Sequence, residues 1–496
     1  SRDVRDFVFR KLEDRFFLIH SAMRLFRFWG FGVLFGAACL LFSCGKDDEG
    51  AADPGVSGPF DEWNGTSDIS WYDGSGTLFQ LESAAQFAGF AELVNSGTSF
   101  KGKTITLEVN VKLNRELKFD ADHNVTNAGE LRPWQPIGSS THPFSGIFDG
   151  KNHVVSGLYC ELDDKTSTSG PAGLFGLLRY GSDSENGETV VKNLRVTGSF
   201  VNGYRAGAVA GELDGSTYKG QWPSMVMDCT GDAVVKGTSA GGVVGYVDNN
   251  SRIEGCSHTG YVESNAGGRA GGVAGECNGR MAYCSNLGEV KGRYAGGIAG
   301  QADGTIVFSC NRGAVKVLEA ASDVVCMLGG IVGRVNCHAE VSDCYSIGGF
   351  EAFVDPQIAF YVGGICSFMH EMSDDDFPTV KNCYTVVSCN NYKDDLYAQV
   401  NPIMGSTEGN NSNIKWSNCF TKNDEDLRYN STYRNETGYV YFIDATFEDR
   451  SGILTPVEDR EVINGSTTLL EALNAASDGT WKVVAGENDG YPVFVR

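Results

Sequence analysis

Proline is scarce in this chain, 12 residues of 496, and basic residues fall well short of acidic ones, 40 against 63. The first shortage excludes a collagen-like or proline-rich disordered chain. The second gives a net charge of −23 and argues against nucleic acid or anionic membrane surfaces as partners, since both would be repelled. No apolar run reaches the ~20 residues of a spanning helix; residues 28–42, FWGFGVLFGAACLLF, hold about 15. Paired C-x-x-C spacings are missing despite 15 cysteines, which removes the usual pattern of a zinc site.

Glycine, by contrast, is plentiful at 64 residues, and its use is periodic. An x-G-x-x-G phrase ends at Gly176, Gly211, Gly245, Gly275, Gly300 and Gly333, in steps of 35, 34, 30, 25 and 33, and a degenerate copy has Ser367 in that place. A polar turn follows each, then a short Φ-x-x-C strand. Its apolar members are Val226, Ile253, Met281, Val307, Val341, Val380 and Trp416, with cysteines at 229, 256, 284, 310, 344, 383 and 419. A third strand such as GEVKG (288–292) or GAVKV (313–317) often completes the unit. Fixed periods of this length signal a solenoid or propeller. Three brief strands per repeat, parted by Gly, Asn, Asp and Ser turns, predict an all-β chain wound as a right-handed parallel β-helix. WD40 and kelch blades need four strands, and leucine-rich repeats need a leucine ladder that is absent. Eight or nine coils at ~4.8 Å each make a rod of roughly 40 Å. The glycines are expected at corners that need positive φ or a close backbone approach.

The recurrent cysteine reads as packing. VVSGL and VVKNL carry Leu158 and Leu194 in its place, each with valine (Val155, Val191) three residues before. A position that accepts leucine or cysteine is inward and apolar. Stacked coils bring such cysteines within bridging distance, but parallel side chains pointing the same way are poorly placed to bridge, so free thiols are expected, with no metal and no cofactor.

The ends depart from the repeat. Arg24 and Arg27 precede the apolar run 28–42, and small and polar residues follow it, the order of a secretory signal with Met23 as its start. Leu41-Phe42-Ser43-Cys44 resembles the bacterial lipobox, which implies lipidation at Cys44. GKDDEG directly after it resembles the surface-export tag of Bacteroidetes lipoproteins. The expected organisation is an upstream segment and signal over 1–44, an acidic tether over 45–60, an N-terminal cap over 61–135, the β-helix over 136–425 and a C-terminal cap over 426–496. In the first cap, SAAQFAGFAELVN (83–95) carries an S-x-x-Q capping box at Ser83 and a helical spacing of Phe87, Phe90 and Val94, followed by a strand over 104–113. The second cap offers a short helix in TTLLEALNAA (467–476) and a last strand in GYPVFVR.

The phrases AGLFG (172–176), AGGVVG (240–245), AGGVAG (270–275) and AGGIAG (295–300), with WQPIG (134–138) and FSGIFDGKNHVVSGL (144–158), make the chain resemble GLUG-motif proteins of the bacterial cell surface over roughly residues 75–496. That resemblance implies an adhesin-like lipoprotein of the outer membrane, displayed at the cell surface. Similar repeats accompany IgA-cleaving metallopeptidases, but His370-Glu371-Met372-Ser373-Asp374 has aspartate where a peptidase's second zinc histidine belongs.

Two textual matches to catalytic motifs fail on context. GTSFKGKT (97–104) fits a phosphate-binding loop, yet a helix precedes it and a strand follows, the reverse of what converges amides on phosphate; nucleotide binding is not expected, and Gly97 and Gly102 make a turn. GTSAG (237–241) fits a nucleophile elbow, but Ser239 opens a β-coil rather than a strand-to-helix turn. The richest acidic spot, Asp374, Asp375 and Asp376, reads as a solvated turn. The resulting expectation is a monomeric, non-catalytic surface scaffold whose unequal turns bind an extracellular glycan or a host or bacterial surface protein. The rival is a β-helix polysaccharide lyase or glycoside hydrolase, which needs carboxylates beside a basic residue on adjacent coils.

Overall fold

The repeat's three apolar runs are too short for helices and are bounded by turn residues, and in the computed structural model each becomes a strand of a parallel β-helix. The structure describes residues 58–496 apart from 164–165, 167–168, 181–187, 216–222, 319–324, 337, 352–359, 370–377, 387–388, 391–397, 402, 408–414, 423–439, 444–453, 457–468, 478–479, 485–487, 489–490 and 496. Cys44 and its signal, the His370–Asp374 fragment and Asp374–Asp376 therefore lie outside the described residues. Three long sheets of 23, 8 and 11 strands form the walls. Pairing is parallel from coil to coil, and the ladders run on into residues 60–112, where Phe60–Glu62 pairs Asn110–Lys112 and Leu78–Leu81 pairs Thr104–Leu107. The strand expected over 104–113 is two strands, Thr104–Leu107 and Asn110–Lys112, because the chain turns a corner between two sheets at Glu108–Val109.

The inward apolar column runs Phe148, Val191, Val226, Ile253, Met281, Ile306, Val341, Val380, and the ladder then pairs Val380 with Trp416. Two assignments made from the spacing are corrected by it. Ile306, not Val307, fills the column, and the cysteine place of that coil belongs to Ser309, whose hydroxyl accepts from the Cys284 amide at 3.2 Å. Cys310 pairs instead with Ser285 and Tyr345, one position outward. The cause is an inverted pair, Cys284-Ser285 against Ser309-Cys310, ahead of the shared Asn-x-Gly. Likewise Val155 pairs with Val196 in another wall, so VVSGL is not in phase with VVKNL; Leu194 alone takes the cysteine column.

What sets that column is the residue before it. Asn193, Asp228, Tyr283, Phe308, Asp343, Asn382 and Asn418 all have φ between 50° and 56°, and Gly255 has 67°. This left-handed corner suits Asn, Asp and Gly and is costly for bulky residues. Tyr283 and Phe308 are held there by stacking with each other (centroids 5.1 Å) and by Phe308 against Phe494 of the last strand (4.1 Å). The C-terminal helix Leu469–Ala476 and the hairpin of Thr480–Lys482 with Val493–Val495 thus lie along the flank of the later coils. Asn382 and Asn418 donate to the helix carbonyls of Leu473 and Ala472 at 3.1 and 3.2 Å, and Trp481 packs on Tyr345 and Tyr384.

At the other end, the helix Ala84–Asn95 forms as expected, with Ser83 accepting from the Gln86 amide at 3.2 Å. Gln86 returns the bond to the Glu82 amide, one residue ahead of the cap. Its Phe87 and Phe90 enter an aromatic cluster with Trp134, Phe144, Phe148 and Phe175.

Candidate ligand-binding crease

The glycine pair and the polar residues behind it explain the interior first. Gly271 packs so closely that a Cβ would sit 1.8 Å from the Ala274 carbonyl oxygen, and one on Gly272 would sit 2.3 Å from Asn286 Cγ. Close approach, not positive φ, is therefore what these corners demand. The room left by the second glycine is filled by a buried polar ladder. His258 Nδ1 donates to Asn286 Oδ1 (2.9 Å), and Asn286 Nδ2 donates to Asn311 Oδ1 (2.8 Å). Each asparagine also closes its own turn, bonding Gly288 and Gly313. Burial pushes the His258 pKa down to about 4, so the ring is neutral, and its Nε2 has no hydrogen-bond partner.

Cys229, Cys256, Cys284, Cys344, Cys383 and Cys419 are buried free thiols in the core. Burial raises the thiol pKa of Cys160 and Cys277 to about 12 and of Cys326 to about 11, and raises those of Cys256, Cys284 and Cys366 as well. Protonated, inaccessible thiols are poor nucleophiles and poor ligands. Among the described residues no group of three or more His, Cys, Asp or Glu is placed to hold a metal ion. Ser239 lies within the strand Thr230–Gly241, buried, its hydroxyl donating to the Gly245 carbonyl at 2.9 Å. Gly97 and Gly102 have φ of 105° and 69° between helix and strand, as a turn requires.

The outward chemistry gathers elsewhere. Where the chain doubles back at each glycine corner, the residue two before the first glycine and the residue after the motif's final position face one another. The first row, in coil order, is Arg205, Ser239, Arg269, Tyr294, Met327, Tyr361, of which Ser239 and Met327 are buried. The second is Glu212, Tyr246, Glu276, Gln301, Arg334, Phe368, the last of them buried. The corner is tight because a Cβ on Gly275 would lie 2.7 Å from the Ala240 nitrogen.

Across the crease Arg205 pairs with Glu212 at 2.7 Å and lays its guanidinium over the Tyr246 ring at 3.8 Å. Arg269 reaches Glu276 at 3.4 Å and Gln301 at 3.1 Å. Arg334 and Arg293 flank the Tyr294 ring at 5.9 and 4.8 Å, and Tyr361 stacks on Phe368 at 5.7 Å. Burial lowers the Arg205 pKa, but Glu212 outweighs it and the net shift is upward. Burial also raises the Tyr246 phenol, which accepts from Asn278 at 3.0 Å. The result is a half-buried strip of aromatic faces, guanidinium groups and carboxylates, stepping by one strand spacing, ~4.8 Å, per coil.

The repeat pattern does not single out the crease residues, because its shared letters lie between them. The flanks of R-A-G-A-V-A-G-E (205–212), S-A-G-G-V-V-G-Y (239–246), R-A-G-G-V-A-G-E (269–276) and Y-A-G-G-I-A-G-Q (294–301) carry the signal. Large polar or aromatic residues there are conspicuous beside so many small ones.

No family model matches the chain. An 85-residue stretch is 32% identical to a "Putative Gly-rich membrane protein" of Evansella cellulosilytica, covering 17% of this chain and 9% of that protein. Among solved structures, the "putative immunoglobulin A1 protease" of Bacteroides ovatus is similar over 84% of this chain and 91% of that one, at 17% identity and a TM-score of 0.43. Among the described residues no helix is long and apolar enough to cross a membrane.

Proposed function

We propose that this protein is a GLUG-type surface scaffold, lipid-anchored in the outer membrane through Cys44, that binds an extracellular glycan non-catalytically along the Arg205–Phe368 crease. The observation that carries the reading is the crease itself. Aromatic faces offer stacking surfaces for sugar rings, while Arg, Glu and Gln offer paired donors and acceptors for hydroxyls. A repeated strip suits a repeated polymer. The membrane-protein name of the Evansella relative agrees with an anchored chain.

A glycan array run beside a lyase and glycosidase screen tests it. Binding that weakens about tenfold or more in Tyr294→Ala and Arg334→Ala, with no turnover, is the expected result. The rival hydrolase or lyase reading draws on Glu212 and Glu276, two coils apart and flanking Tyr246. Turnover abolished by Glu276→Gln would replace the binding reading with that one. Cys44→Ala is expected to move the protein from the membrane to the soluble fraction and to abolish acyl labelling. Protease shaving of intact cells reports surface display, and full protection would place the chain on the periplasmic face.

A further inference from the structure

A second site stands in the N-terminal segment, and none of the crease residues lines it. Strand Phe60–Glu62 with the residues just after it, the strand Asn110–Lys112 with its continuation to Glu116, and the loop 118–132 enclose a cleft of about 520 Å³. Its walls are fixed. Asn114 donates to the Arg132 and Gly157 carbonyls (3.1 and 2.9 Å) and accepts from the Arg132 amide (2.7 Å). Asn127 ties the loop's base to itself, accepting from the Lys118 amide at 2.9 Å and donating to the Glu116 carbonyl at 3.1 Å. Trp63, held edge-on by Trp134 with centroids 5.7 Å apart, supplies an aromatic side.

The charge is what sets this cleft apart. Four cations, Lys112, Arg115, Lys118 and Arg132, line it against three carboxylates, Glu62, Glu116 and Glu130, on a chain whose acids outnumber its bases 63 to 40. Arg115 is spent on Glu62 at 3.1 Å, and Lys112 lies over the Phe60 ring at 5.1 Å. The Arg132 guanidinium and Lys118 ammonium have no carboxylate partner among the described residues. A preformed cleft of this size suits a mono- or disaccharide, and a lining with one more cation than carboxylate, on a chain so acidic elsewhere, favours an anionic one.

We propose that the cleft binds a carboxylate-bearing sugar, with Arg132 and Lys118 taking the carboxylate, Arg132 through its planar fork of donors, and Trp63 beside the ring. This goes beyond the crease reading and does not depend on it. The test is calorimetric titration of the whole protein with digalacturonate, with maltose as the neutral probe and Tyr294→Ala as the crease control. Digalacturonate is expected to bind, to weaken about tenfold or more in Arg132→Gln and in Lys118→Gln, to weaken with added salt, and to be unchanged by Tyr294→Ala. Thermal melts of both variants guard against misfolding, since exposed cation-to-amide changes move stability little. No heat with digalacturonate, equal binding of maltose, or binding indifferent to both substitutions would overturn the proposal. Loss in Tyr294→Ala alone would assign the sugar to the crease and overturn it equally.

Discussion

The N-terminal end and the middle coils solve the same packing problem with opposite materials. Around Ala84–Asn95 the core is aromatic, with Phe87, Phe90, Phe144, Phe148 and Phe175 stacked or edge-on within about 6 Å of one another. In the coils from 240 to 311 it is built from Ala240, Val243, Ala270, Val273, Ala295 and Ile298, with cysteine and asparagine columns beside them. An aromatic core tolerates little removal; a small-residue core closed by glycine contacts tolerates no addition. The two regions should therefore fail by different substitutions.

The largest effect is expected from addition in the middle. Gly272→Val places new atoms 2.2 Å from the Gly297 carbonyl and against Asn286, a backbone clash that cannot relax along a flexible side chain. Loss on the order of 5 kcal/mol or more, read as failure to recover folded protein, is the expected outcome; a normal melt would break the comparison. Removal at the aromatic end comes next. Phe90→Ala should cost about 4 kcal/mol by denaturant melt, whereas a cost below about 1 kcal/mol would mean the cluster collapses to fill the space.

The polar ladder predicts a pH effect of intermediate size. His258 has a folded pKa of about 4 against 6.5 unfolded, caused first by burial, with the Asn286 bond opposing it. The unfolded chain therefore binds the proton first. The stability of the neutral ring is fully present above pH 6.5 and is lost as pH falls toward 4, by up to ~3 kcal/mol. His258→Asn, which continues the asparagine column, should flatten that slope while leaving stability at pH 7.5 close to wild type. A slope unchanged by the substitution would assign the acid sensitivity to other groups.

The smallest effect belongs to the cysteines. Cys284→Val conserves volume and apolarity and should cost less than ~1.5 kcal/mol, while Cys284→Asp should be severe because it buries an unpaired charge. Thiol titration is expected to find the core cysteines silent in native buffer and reactive in denaturant without reductant. Stoichiometric zinc in the purified protein, or thiols absent throughout, would overturn the packing account.

Much of this was legible in the sequence, and the errors have a common cause. The coil period, the parallel walls, the Ser83-capped helix and the inward cysteines follow from local patterns, because turn residues and apolar runs act within a few positions. Ser309 and Ile306 were missed because Val307-x-x-Cys310 satisfies the same local pattern, and a one-residue slip exchanges the two faces of a strand. Only pairing with Met281 and Val341 on the neighbouring coils decides between them. The cap cleft was not legible at all, since its walls come from three segments between residues 62 and 132.

By itself, then, the amino-acid order determined a chain of three-strand coils with glycine corners and a small-residue core, since each coil repeats one set of steric demands. The tertiary structure decided which residues meet across those corners. Arg205 touches Glu212 and Tyr246 because the chain reverses at a tight corner and neighbouring coils stack in register. Tyr283 and Phe308 can occupy left-handed corners because Phe494, nearly two hundred residues away in sequence, lies over them. Such contacts depend on stacking order and on where the C-terminal segment folds back, and neither is encoded in any one repeat.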